Sequence, residues 1–153
     1  MVFRIMNSKR ISKDEYYLGI AKAVTKRSTC LKRRYGCVIV KNDEIVSTGY
    51  NGSARGEKNC CDVYKECPRA NVAHNSGDYS DCQSVHAEQN AMLSASRKDM
   101  IGATMYLYCE EKMIRTSDMF FEITNCSPCP ICLRMVKNAG IERIITKGGE
   151  IFL

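Results

Sequence analysis

The chain has no apolar run approaching the roughly twenty residues that span a bilayer, and Met1 to Arg10 carries no signal-peptide pattern. Neither a membrane nor export is indicated, and the expected compartment is the cytoplasm. Internal repeats and low-complexity tracts are also missing. Residues 1–153 are therefore read as a single domain, long enough to bury roughly 70% of the unfolded chain's surface. The densest basic stretch, Lys26-Arg27 to Lys32-Arg33-Arg34, has no interleaved aromatic beyond Tyr35. A nucleic-acid groove needs both charge and stacking surface, so nucleic acid is not the expected partner. The net charge of +6, from 23 basic and 17 acidic residues, suits a nucleotide phosphate, a neighbouring subunit or plain solvated surface equally well.

Cysteine is abundant, with ten in the chain. In a secreted protein they would suggest disulfides, but a reducing cytosol keeps thiolates available as metal ligands. Two motifs give that reading content. His86-Ala87-Glu88 is followed further on by Pro128-Cys129-Pro130-Ile131-Cys132. Together they supply one imidazole, two thiolates three residues apart and a carboxylate that is not needed as a ligand. A catalytic zinc takes three protein ligands and leaves its fourth corner to water, whose pKa falls to roughly 7. His86, Cys129 and Cys132 are the candidate ligands, and Glu88 the candidate general acid and base. Either motif alone also fits a structural zinc knuckle, a redox pair or an ordinary helix start. Their conjunction favours catalysis, because a closed structural site has no use for Glu88.

The local pattern places both motifs at helix starts. Residues 87–96 read as a helix with His86 at its beginning, and 129–139 as another, with prolines where a first turn tolerates them and Gly140 as the stop. Both ligand groups then sit at positive helix ends. Earlier, Ser12-Lys13-Asp14-Glu15 is a capping box for a helix running to about Arg27, with Tyr16, Ile20, Ala23 and Val24 on one face. Residues 36–41 and 44–49 form a hairpin across Asn42-Asp43, and 104–108 and 143–146 supply two more strands. Helices alternating with strands predict a sheet covered on both faces. Tyr106 and Tyr108 alternate with Leu107, which makes one of them a candidate for stacking on a base. Two segments lack periodicity: 53–85 is long for a loop and needs an anchor, and 110–127 reads as an insertion whose Met113-Ile114 and Met119-Phe120-Phe121 pack on the body or on another subunit.

H-A-E followed by P-C-x-x-C is a signature of zinc nucleobase deaminases. The likeness continues through residues 37–52 with their G-Y-N-G loop, the H-A-E-Q-N-A form of 86–91, and residues 102–107 and 138–141. Over most of its length the chain resembles deoxycytidylate (dCMP) deaminases of the zinc-dependent cytidine/deoxycytidylate deaminase superfamily. The resemblance implies an α/β fold, specifically a three-layer α/β/α arrangement around a central mixed sheet of about five strands. It implies hydrolysis of dCMP to dUMP and ammonia in the supply of dTTP precursors. His86, Cys129 and Cys132 would then hold the catalytic Zn2+, with Glu88 as the proton carrier. Asn51 would contact the deoxyribose and the backbone around Ala87 the pyrimidine carbonyl, while Arg97 would serve phosphate binding or a subunit contact.

The same resemblance implies a second, structural Zn2+ on Cys30, Cys60, Cys67 and Cys82, with Cys61 or His74 able to replace one of them. That site would supply the anchor the 53–85 segment needs. Family members are commonly hexamers, activated by dCTP and inhibited by dTTP, with Mg2+ accompanying the effector. Free-nucleoside deaminases have cysteine in place of His86, and the riboflavin-pathway enzymes add a reductase domain. The tRNA adenosine deaminases connect their loop asparagine to H-A-E far more briefly than the 35 or so residues found here between Asn51 and His86. A nucleic-acid base deaminase and a zinc-stabilised, non-catalytic binding module are the two alternatives.

Overall fold

Ser12 caps helix α1, Lys13–Thr25, in the computed structural model, which describes residues 9–113 and 118–153. Its hydroxyl accepts from Glu15 N at 3.1 Å while Ser12 N donates to the Glu15 carboxylate at 2.8 Å, the reciprocal pair of a capping box. The buried stripe is Tyr17, Ala21 and Thr25, one residue away from the stripe expected from the pattern. Tyr16 and Ala23 are exposed, and Ile20 and Val24 only half-buried. The Tyr17 hydroxyl explains the offset, because it donates to Asp43 at the hairpin tip, at 2.6 Å to the carboxylate and 2.9 Å to the carbonyl. The helix also stops two residues before Arg27.

Strands β1, Arg33–Lys41, and β2, Glu44–Tyr50, pair antiparallel. Asn42 and Asp43 join them with φ of 51° and 62°. Two successive left-handed residues match the right-handed twist of a hairpin, and Asn and Asp tolerate that conformation better than most. Two short strands follow, β3 at Gly52–Ser53 and β4 at Ser84–Val85, which pair with each other. They clip both ends of the long 53–85 segment together. That segment also holds the short helix α2, Cys60–Val63.

After β4 come α3, Ala87–Leu93, and the single-turn α4, Arg97–Met100. Then β5, Thr104–Lys112, is followed by β6, Phe120–Glu122, by α5, Pro130–Ala139, and by β7, Arg143–Thr146, and β8, Gly149–Phe152. The sheet order is β2-β1-β5-β7-β8, with β6 paired to β5; β5 and β7 run parallel and the other neighbours antiparallel. The sheet is thus mixed, with six strands. Part of the 110–127 stretch read as an unpatterned insertion is ordered as strand: residues 110–112 continue β5, and 120–122 return against it as β6. Ile114 falls outside the described residues.

Alternation along the strands divides the core. Val38, Val40, Tyr106, Tyr108 and Ile145 face α1. Cys37, Ile39, Met105, Leu107 and Ile144 pack instead with Ala87 and Ala91 of α3 and with Val136 and Ala139 of α5. Three layers result. A Cβ at Gly49 would collide with the Ala87 carbonyl and the Ala91 amide, so glycine there lets α3 lie directly on β2. Gly140 closes α5 at φ 85°, the left-handed C-cap conformation. Among the described residues, no helix is long and apolar enough to cross a membrane.

Candidate active site

Because β4 ends where α3 begins, His86 becomes the N-cap of α3, with extended φ and ψ of −72° and 155°. Its backbone N–H donates to Gln89 Oε1 at 2.9 Å, which fixes the entry of the chain. Cys129 takes the same position on α5, its sulfur accepting from Cys132 N at 3.3 Å, with Pro130 at the first helical residue. The N-termini of the two helices converge. His86 Nδ1 lies 3.6 Å from Cys129 Sγ and 3.4 Å from Cys132 Sγ, and the three donor atoms fall within 4.8 Å of one another. A tetrahedral metal with Zn–N near 2.0 Å and Zn–S near 2.3 Å separates such donors by about 3.6 Å. The trio therefore fits zinc, and no other such group occurs among the described residues.

Electrostatics agree with a cation here. Burial holds His86 below its usual range, so its imidazole is neutral and ready to ligate. Burial, and after it the neighbouring Glu88 charge, raise the Cys132 thiol; metal binding would expel that proton. Glu88 sits in the first turn of α3, 3% exposed. Burial pushes it up to about 7, opposed only by a backbone hydrogen bond. A carboxyl poised near neutrality can both take and return a proton.

These groups open into a cleft of about 890 Å³, counted to its open mouth. His86, Ala87, Glu88, Cys129 and Asn51 all line it. Asn51 is 8% exposed and heavily engaged. Its Oδ1 accepts from Ser28 Oγ at 2.6 Å and Tyr35 N at 2.8 Å, while Nδ2 donates to the Arg33 carbonyl at 2.9 Å. One Nδ2 hydrogen remains for a ligand. Arg97 is not among the lining residues. Helix α3 ends at Leu93 and the chain turns through Ser94 to Ser96, which leaves Arg97 exposed at the start of α4. The cations that do line the cleft are Lys32, Arg33 and Arg69.

Cys30, Cys60, Cys67 and Cys82 line the same cleft. Burial, opposed by a hydrogen bond to Ser84 and aided by the Cys60 and Cys82 charges, raises Cys30 to about 11; Cys60 in turn senses Cys82 and Cys67. The four thiols thus form one neighbourhood, although they do not meet the 4.8 Å spacing of the first trio. Cys61 is exposed, and His74 is occupied by Tyr35, whose hydroxyl lies 3.1 Å from Nε2. Tyr106 and Tyr108 are not in the cleft. Their hydroxyls bond Asp14 and Glu122, at 2.7 and 2.6 Å, on the α1 side of the sheet. The aromatic residues that do reach the cleft are Tyr35 and Tyr79, and no sequence motif marked them.

A family model described as the cytidine and deoxycytidylate deaminase zinc-binding region matches residues 11–147. The chain belongs to this deaminase family. The deoxycytidylate deaminase of Mycobacterium phage D29 is 37% identical over 138 residues, a match covering 86% of this chain and 91% of that protein. The deoxycytidylate deaminase of Schizosaccharomyces pombe is 37% identical over 140 residues; here the match spans 91% of this chain but only 38% of the longer relative. Among solved structures, the dCMP deaminase of cyanophage S-TIM5 in complex with dCMP and dUMP superposes with a TM-score of 0.61 at 24% identity, covering 90% of this chain and 83% of that one. That likeness fixes the deaminase fold, and the family's zinc-binding region contains the His86, Cys129, Cys132 trio.

Proposed function

We propose that this deaminase domain hydrolyses dCMP to dUMP and ammonia, with His86, Cys129 and Cys132 as its zinc ligands and Glu88 as its proton carrier. The observation that carries the reading is the buried Glu88, held near pKa 7 beside three converged donors. Bound there, zinc supplies a Lewis acid that brings the pKa of a water molecule to about 7. Glu88 takes one proton from water as it adds to C4 of the base and delivers it to N3; it then takes the remaining proton of the new C4 hydroxyl and passes it to the amino group, which leaves as ammonia as the C4 carbonyl forms. Its burial keeps bulk water from short-circuiting that transfer. The free Nδ2 hydrogen of Asn51 is assigned to the sugar and the backbone at Ala87 to the pyrimidine carbonyl. Arg97, exposed and outside the cleft, is assigned to a contact with a neighbouring copy.

The second zinc is proposed on Cys30, Cys60, Cys67 and Cys82. Support comes from their shared wall of the cleft and the mutual effect of their charges. The metal would tie the 53–85 segment to the end of α1. Thiolate ligands need a reducing compartment, which favours the cytoplasm. Residues 1–153 are proposed as one domain. A hexamer responding to dCTP and dTTP with Mg2+ rests on the family resemblance alone, and sedimentation with and without each nucleotide tests it.

The deciding experiment is ammonia release from dCMP, dCTP, cytidine and tRNA under matched conditions. Preference for dCMP supports the proposal. Competition won by tRNA favours nucleic-acid base deamination, and a zinc-replete protein silent on all four favours a binding module.

A further inference from the structure

Tyr79 lies in the long segment between β3 and β4, where the sequence shows no motif. Its ring centroid is 6.4 Å from that of His86, tilted by 57°, and the residue is 39% exposed within the cleft. The Arg69 guanidinium covers the ring from one side, its carbon 3.6 Å from the centroid. Arg69 is itself only 7% exposed, and its two terminal nitrogens donate to the carbonyls of Asp78 and Ser76. The Asp78 carboxylate in turn accepts from Ser80 N at 2.9 Å and Ser80 Oγ at 2.6 Å. From below, Lys32 Nζ donates to the carbonyls of Arg69 and Val72, at 2.9 and 2.5 Å. An exposed tyrosine on an irregular loop is thus backed by a buried cation and braced on both sides.

The guanidinium seated against one face restricts this ring before any ligand arrives, which lowers the ordering cost of stacking on it. Aromatic rings attract one another at centroid separations of 4.5–7 Å, and Tyr79 stands within that range of the ligand imidazole. The other cleft aromatic, Tyr35, is turned to His74. We propose that Tyr79 is a stacking surface for the pyrimidine ring, with Arg69 as the positioning residue that holds it. This rests on the deamination reading above. The ring whose carbon must meet the open corner beside His86 enters next to Tyr79, which sets the plane of the base relative to Glu88. Stacking of this kind recognises any flat base, so Tyr79 contributes affinity and orientation rather than a choice between bases.

The chain has no tryptophan, so Tyr79→Trp introduces a lone indole at this position. In the zinc-loaded variant, titration with dUMP is expected to quench and shift that emission, with a midpoint matching dUMP binding by calorimetry. Tyr79→Leu is expected to raise the KM for dCMP by about tenfold or more, with a smaller change in kcat, while Tyr79→Phe stays near the wild type. Zinc content and the melting curve of each variant separate a stacking loss from a collapsed loop. If dUMP binds Tyr79→Trp by calorimetry without altering the emission, or folded Tyr79→Leu keeps the wild-type KM, the stacking role is overturned and deamination stands. A wild type that neither binds dUMP nor turns over dCMP overturns the deamination reading itself, and the stacking role with it.

Discussion

Glu88→Gln is expected to make the zinc-free protein more stable at pH 8. Burial lifts this carboxyl from 4.5 to about 7, so between those values the folded chain keeps a proton that the unfolded chain has released. Stability conferred by the wild-type residue is therefore highest below pH 4.5, declines as the pH rises through about 7, and is flat above. At about 1.4 kcal/mol per tenfold in proton affinity, ionised Glu88 costs the fold about 3 kcal/mol at pH 8. Glutamine fills nearly the same volume without the charge and escapes that cost. Urea unfolding in chelator and reductant, at intervals from pH 4.5 to pH 8, reads the difference directly. The two proteins are expected to converge at the acid end and separate by about 3 kcal/mol at the alkaline end. Equal stability at pH 8, or a weaker variant there, would show that the ionised carboxylate has a compensating partner and refute the reasoning.

Other substitutions probe the frame around the site. Gly49→Ala is expected to cost about 1–3 kcal/mol, the usual penalty for overpacking, because the new Cβ meets α3 backbone atoms; thermal melting and zinc retention should fall together. Asn51→Ala removes hydrogen bonds to Ser28, Tyr35 and Arg33 and is expected to lower stability by about 2–4 kcal/mol at roughly 1 kcal/mol per bond, read by urea unfolding. Cys82→Ser is expected to lower zinc from two ions per chain to one while dCMP turnover persists; unchanged metal content by elemental analysis would remove Cys82 from the second site.

How much of this was visible in the sequence depends on whether local chemistry or a distant contact decided each position. The helix starts at His86 and Cys129, the stop at Gly140 and the Asn42-Asp43 turn were legible, because caps and left-handed turns are set by a few adjacent residues. The convergence of His86 with the two cysteines was legible as an inventory, since few other uses join those residue types. The face of α1 was not, because a hydroxyl bond to a turn 26 residues away selects Tyr17 over Tyr16. The extension of β5 was hidden by Glu110, Glu111 and Lys112, which read as solvent-facing. Partners on other elements explain the two glutamates: Arg33 on β1 pairs with Glu111, and Lys26 at the end of α1 reaches the buried Glu110. Alternation identified Tyr106 and Tyr108 as sharing a face, but only the placement of α1 shows that this face lies away from the metal ligands. Strand β8 is four residues beginning at a glycine, too short for a period to emerge. Arg69 and Tyr79 carried no signal, because their pairing depends on the shape of an irregular loop.

The account turns on a metal trio served by one adjacent acid, and the most direct test measures both parts in the same preparation. Zinc per chain and ammonia release from dCMP are determined for the wild type and for Glu88→Gln. The account predicts matching zinc content, with turnover lower by about a hundredfold or more in the variant. Turnover by Glu88→Gln within a few-fold of the wild type at equal zinc would contradict it.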